Sequence, residues 1–153
     1  MADAVSTQEH RGPAAEFAVG WVGFADDGIV SEGLVGGRAR WYVLPRLSVG
    51  PEIVYLNGEN HTHLTVTGNL TWDLLTVNSR PSRITPFVIV GAGVFQTRET
   101  FFTGTFTSSE GAVTAGGGVR AAVGDRITVG VETRIGWELH VRVNGSLGVR
   151  PGN

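Results

Sequence analysis

The sequence predicts an all-β fold of eight antiparallel strands, joined in order and closed into an up-and-down barrel. Three observations carry this reading. Period-two alternation of apolar and polar residues recurs from Phe17 to Val149, and helical periodicity is absent. Glycine supplies 23 of 153 residues, about twice its usual share, and clusters of Gly, Pro, Asn and Asp separate the alternating runs. No helical crossover lies between the runs, so neighbours pair as an antiparallel meander. Eight strands of about ten residues suit closure, which leaves no exposed edge.

The elements follow in order. A polar tail covers 1–14, the barrel 15–150 and a short tail 151–153. The first strand, 15–25, is weakly patterned, with small residues on one side. The second, 34–44, sets Arg38 and Arg40 on the face opposite Trp41. The third, 47–56, carries Pro51, which cannot donate a ladder hydrogen bond and predicts a bulge. The fourth, 63–75, alternates cleanly through "HLTVTGNLTWDLL". The fifth, 84–97, holds "ITPFVIVGAGVF" and is apolar on both faces. The sixth, 112–123, contains "AGGGV". The last two, 126–138 and 139–150, form "RITVGVETRIGWELHVRVNGSLGVR", whose odd positions are apolar and whose even positions are polar or charged.

The connections alternate in length. "LPR" at 44–46 and "GD" at 124–125 are short; 26–33, 57–62 and 98–111 are longer. Short turns on one rim and long loops on the other describe outer-membrane barrels. "TVNSRPSR" at 76–83 and the tight last hairpin near Glu138 depart from that pattern.

Composition narrows the function. A net charge of -2 gives no basic surface for nucleic acid. Cysteine is absent, which excludes disulfides and thiolate zinc sites. All 12 basic residues are arginine, whereas a water-exposed surface usually carries lysine. No run approaches 18 apolar residues, so no transmembrane helix is predicted. The opening "MADAVSTQEHRGPAAE" lacks the apolar core of a signal peptide and reads as a mature N-terminus carrying a start methionine.

The decisive matter is which face points inward. Trp21, Trp41, Trp72 and Trp137 all fall on apolar faces. With the N-terminus at the periplasmic rim, Phe17, Trp41, Trp72 and Phe87 form one aromatic girdle and Tyr55, Phe95 and Trp137 the other. Trp21 falls nearer mid-band. From Phe87 to Phe95 a tilted strand rises roughly 20 Å, close to the lipid-facing band of about 25 Å. The opposite face interleaves small residues with Arg38, Arg40, Glu52, Asp73, Arg120, Glu132, Arg134, Glu138 and Arg142. An eight-stranded lumen is just wide enough for side chains to fill, so these charges are expected to plug it as ion pairs. Pairing across "LPR" sets Glu52 opposite Arg40 or Arg38. A soluble lipocalin-like carrier is the alternative. It would have to bury four tryptophans and the other bulky side chains.

In "RLSVGPEIVYL" (46–56), "HLTVTGNLTWDLL" (63–75), "TPFVIVGAGVF" (85–95) and "GVETRIGWELHVRVNGSLGVR" (130–150) the chain resembles the eight-stranded outer-membrane β-barrel family, meaning the OmpA-like transmembrane domain and its small relatives. The resemblance implies a monomeric, porin-like fold surrounded by lipid in the outer membrane of a Gram-negative bacterium. It departs at the end: family members commonly finish on an aromatic residue, and this chain reads "GVRPGN".

Other chemistry is weaker. "ENHTH" offers Glu59, His61 and His63, an H-x-H arrangement that can bind zinc, but spacing fixes no third ligand and no metal is assigned. His61, His63, Ser108, Ser109 and Glu110 contain the residue types of a lipid-modifying enzyme, which is the second alternative, but no local motif joins them. "VGAGV" (90–94) and "AGGGV" (115–119) precede no helix and are not phosphate loops; they let strands coil and make room for lumen arginines. Glu132 and Arg134 serve as lumen filling rather than a proton relay. The sequence thus predicts a non-enzymatic, cofactor-free outer-membrane barrel that presents loops 26–33, 57–62 and 98–111 to an unidentified surface ligand.

Overall fold

The computed structural model describes residues 13–26, 28–58, 61–74, 84–136 and 140–151. Its eight elements are all strands: β1 Ala14–Asp26, β2 Gly28–Leu44, β3 Leu47–Asn57, β4 His61–Asp73, β5 Ile84–Phe101, β6 Gly104–Val123, β7 Ile127–Gly136 and β8 His140–Val149. They form a closed barrel in chain order. Every neighbouring pair is antiparallel, and β1 closes on β8 from Ala15↔Val149 to Phe24↔His140.

Alternation places the side chains as pleating requires. Glu16, Arg40, Glu52, Asn69, Asp73, Glu132 and Arg134 are buried, while Phe17, Val19, Trp41, Ile53, Leu70, Trp72, Val90, Val131 and Ile135 stand exposed on the outside. The barrel is therefore polar at its centre and apolar around its circumference.

Three expectations about the strands need correction. The segments 26–33 and 98–111 are not loops over most of their length. β1 and β2 stay paired out to Asp26↔Gly28, and β5 and β6 out to Phe101↔Gly104. The ladders continue because alternation does not stop at the barrel mouth, and the exposed Ser, Thr and Glu of 105–110 suit a strand with both faces in water. Pro51 causes no bulge. Pairing of β3 with β2 follows one register from Arg38↔Glu52 to Trp41↔Val49 and shifts only between Tyr42 and Leu44. Pro51 tolerates a regular strand because it is exposed on the outward face at a step that β2 leaves unpaired.

The third correction concerns Phe87 and Phe95, expected on the aromatic girdles. Both point inward. Phe87 is 3% exposed and packs under the Arg120 guanidinium, 4.4 Å from its ring centroid. Phe95 packs on the buried cluster of Val22, Leu34, Val54 and Leu56. Register explains it: β5 pairs Val88 with the outward Trp72, so even-numbered residues of β5 face out. The interval from Phe87 to Phe95 therefore does not measure an outer band. Trp137 and Glu138, the turn 76–83, Glu59 and most of both tails lie outside the described residues.

Two tight features depend on glycine. Gly124 takes φ 83 in the turn between β6 and β7, a left-handed conformation that glycine adopts without steric cost. At Gly116 a Cβ would sit 2.1 Å from the Thr133 carbonyl oxygen and 2.9 Å from Arg134 Cγ, so the bare backbone makes room for that arginine.

Candidate functional site

The lumen is stacked in four levels. At the N-terminal rim Asp73 is ion-paired with Arg120 and accepts a hydrogen bond from the Tyr42 hydroxyl at 2.7 Å. Glu16 is paired with Arg38 and lies 3.1 Å from Arg40. The Arg40 guanidinium is also 5.4 Å from the Tyr42 ring centroid, a cation–π arrangement.

The middle level crosses the barrel. Glu52 on β3 lies 2.8 Å from Arg134 on β7, 2.7 Å from Arg142 on β8 and 3.5 Å from Arg38 on β2. Glu132 is paired with Arg134, lies 2.9 Å from Arg38 and 3.4 Å from Arg142. Arg134 also donates to Asn69 Oδ1 on β4 at 2.9 Å. Each charge thus meets several of opposite sign, which is what a desolvated interior demands. The same level settles the cross-hairpin register: Arg38, not Arg40, stands opposite Glu52. The structure brings Arg38, Arg40, Glu52, Asp73, Arg120, Glu132, Arg134 and Arg142 into this lattice, and Glu138 lies outside the described residues.

Sequence reasoning missed Glu16, Asn69 and Tyr42. Glu16 sat in the weakly patterned first strand. The other two are inward positions of alternating strands, and their parity with Asp73 and Arg40 was the signal available.

Above the lattice Val22, Leu34, Val54 and Leu56 form an apolar layer. The cavity between it and Arg142 has a volume of about 40 Å³, room for about three waters and far below a ligand chamber of several hundred Å³.

At the far mouth Glu32 on β2 meets two histidines of β4. His61 Nε2 is 2.5 Å and His63 Nε2 3.6 Å from Glu32 Oε1. Glu32 lies in the segment 26–33 that the sequence reads as a loop, and the continuing even phase of Leu34, Gly36 and Arg38 is the signal that places it inside. Ser108 and Ser109 are exposed on β6, and among the described residues neither hydroxyl is hydrogen-bonded to a histidine. Ser108 is in register with Thr97, which is in turn in register with His63.

On the outer face Phe17, Trp41, Trp72 and Tyr55 are each exposed. So is Trp21, whose indole N–H donates to Ser31 Oγ at 2.8 Å. That bond satisfies its one polar group while the ring faces outward.

No family model matches the sequence, and no curated protein matches it. Solved structures do. Neisserial surface protein A superposes with a TM-score of 0.74 at 10% identity, over 91% of this chain and 96% of that one. The N-terminal β-barrel domain of Pseudomonas aeruginosa OprF gives a TM-score of 0.70 at 8% identity, over 89% of this chain and 96% of that one. The outer membrane enzyme PagL gives 0.53 at 15% identity, over 90% and 99%. With an all-β chain closed in strand order and a charged interior, the protein has the fold of the eight-stranded outer-membrane β-barrels, the small OmpA-like type.

Proposed function

We propose that this chain is a monomeric, non-enzymatic integral protein of the Gram-negative outer membrane, plugged by its own side chains, whose barrel holds the far-rim hairpins at the cell surface. One observation carries the reading: the inside-out distribution of polarity. Val19, Ile53, Val90, Val131 and Ile135 are 51–61% exposed on the outside, whereas Glu132 and Arg134 are 1% exposed within. A contiguous apolar patch larger than a few hundred Å² marks a membrane or partner interface. Here the apolar side chains stand on all eight strands, and a bilayer covers such a surface from every side at once. Closure in strand order removes the open sheet edge that a bilayer does not tolerate.

The interior argues against the carrier reading. A soluble carrier places its apolar residues around a ligand, and this lumen holds a salt-bridge lattice under a cavity of about 40 Å³. The barrel-mounted hairpins support the surface role. The longest, β5–β6, runs 18 and 20 residues per strand. β6 meets β7 only from Thr114 onward, so among the described residues 104–113 pair with β5 alone. The likeness to a Neisserial surface protein agrees with that role. PagL shows that the same fold also carries an enzyme, but among the described residues the exposed Ser108 and Ser109 have no histidine partner.

Heat-modifiable migration tests the reading. Purified in detergent, the unheated protein is expected to run differently from the boiled protein, because a closed sheet with no fraying edge resists SDS. Identical migration together with solubility in plain buffer would rule the reading out.

A further inference from the structure

We propose that the far mouth of the barrel binds one divalent transition-metal cation of zinc-like coordination, held by Glu32, His61 and His63. Their ligand atoms lie within 4.8 Å of one another. Zinc holds N and O ligands at about 2.0–2.2 Å, which sets tetrahedral ligands about 3.3 Å apart. The separations of 2.5 and 3.6 Å from Glu32 Oε1 to the two Nε2 atoms bracket that value, so small side-chain movements suffice.

The fold assembles the set in a way local sequence does not show. His61 and His63 are two apart on β4 and share a face. Glu32 reaches them from β2, past the end of β3 at Gly58. A Cβ on Gly58 would lie 2.8 Å from Glu32 Oε1 and 3.0 Å from His61 Nε2. The bare Gly58 leaves room for the ends of Glu32 and His61 to meet.

Three features distinguish this set from an ordinary ion pair. The Glu32 side chain is 0% exposed, yet among the described residues its Oε2 has no hydrogen-bond partner. Among the described residues no arginine is paired with it. A buried carboxylate with an idle oxygen is costly, and a cation stabilises it. His63 Nδ1 is 3.0 Å from Thr97 Oγ1. When that nitrogen donates its proton to the hydroxyl, Nε2 keeps its lone pair on the Glu32 side, the orientation that outer partners give metal-binding histidines. Its ring is also stacked on Phe95 at 4.9 Å, which fixes the plane.

One carboxylate and two neutral imidazoles would leave the bound ion a net single positive charge. His61 is 33% exposed, so a fourth coordination position faces the mouth, where water can enter. Hard cations prefer all-oxygen sites; two imidazoles select the zinc-like class.

The test uses the folded chain in detergent micelles, without a histidine tag, stripped with chelator and carrying His10→Gln so that the tail offers no competing imidazole. Zinc is titrated by calorimetry, and Co²⁺ by visible absorption as a reporter of tetrahedral geometry. One equivalent is expected to bind. His61→Gln, His63→Gln and Glu32→Gln should each weaken binding at least tenfold. Gly58→Ala, which crowds only the movable ends of Glu32 and His61, should weaken it by less. Absence of binding, or affinity unchanged in His61→Gln and His63→Gln, overturns the proposal. If Glu32→Gln fails to fold, those two variants still decide, because the partly exposed His61 is not part of the lumen lattice.

Discussion

Glu52 shows how this interior is held together at the scale of single residues. It contacts Arg134 at 2.8 Å, Arg142 at 2.7 Å and Arg38 at 3.5 Å, so three strands are tied to a fourth through one carboxylate. Removing one partner of a buried ion pair leaves an uncompensated charge and costs about 3–5 kcal/mol. Glu52→Ala should show a loss of that size in urea unfolding from micelles. Adding Arg38→Met should restore little of it, since Arg134 and Arg142 still face the gap. A surface carboxylate would behave otherwise, with an effect of at most about 1 kcal/mol. A silent Glu52→Ala would mean that this face looks at water.

At the scale of the strand, alternation assigns the faces, and β7 is its cleanest case. Thr128, Glu132 and Arg134 are buried, and Val129, Val131 and Ile135 are exposed. Val131→Arg would place a guanidinium in the lipid-facing band and should destabilise by about 2–4 kcal/mol in a bilayer. Folding titrations in lipid vesicles measure it, and a neutral result would contradict the assigned face. β5 shows the limit of the same logic. With Val, Ile, Phe, Gly and Ala on both sides, it offers no contrast from which to read a phase. Only the pairing of Trp72 with Val88 sets the phase. Hairpin length was illegible for a related reason. Polar residues such as those at 104–110 satisfy both a loop and a two-sided wet strand, and long-range pairing decides between them. Glu32 was lost in the same way, because a segment read as a loop has no inside. What was legible, namely eight strands, their order, the arginine-rich interior and the role of glycine beside Arg134, all rested on local period two and on the narrowness of an eight-stranded lumen.

At the scale of the whole molecule, the barrel keeps its charges inside and turns apolar side chains outward on every strand. Closure through β1 and β8 joins the first and last strands, the salt-bridge lattice lies within the barrel, and the proposed bilayer would cover the apolar outside. Trp21 reports on that solvent directly. It is 40% exposed on the outer face, and its indole N–H is bonded to Ser31. The most direct measurement is fluorescence of a variant that keeps Trp21 and has Trp41, Trp72 and Trp137 changed to Phe, reconstituted in bilayers with brominated acyl chains and, separately, exposed to aqueous iodide. A lipid-facing outer surface predicts strong quenching by the brominated chains and little by iodide. Strong quenching by iodide with none from the brominated chains would contradict it and show that the outer face meets water.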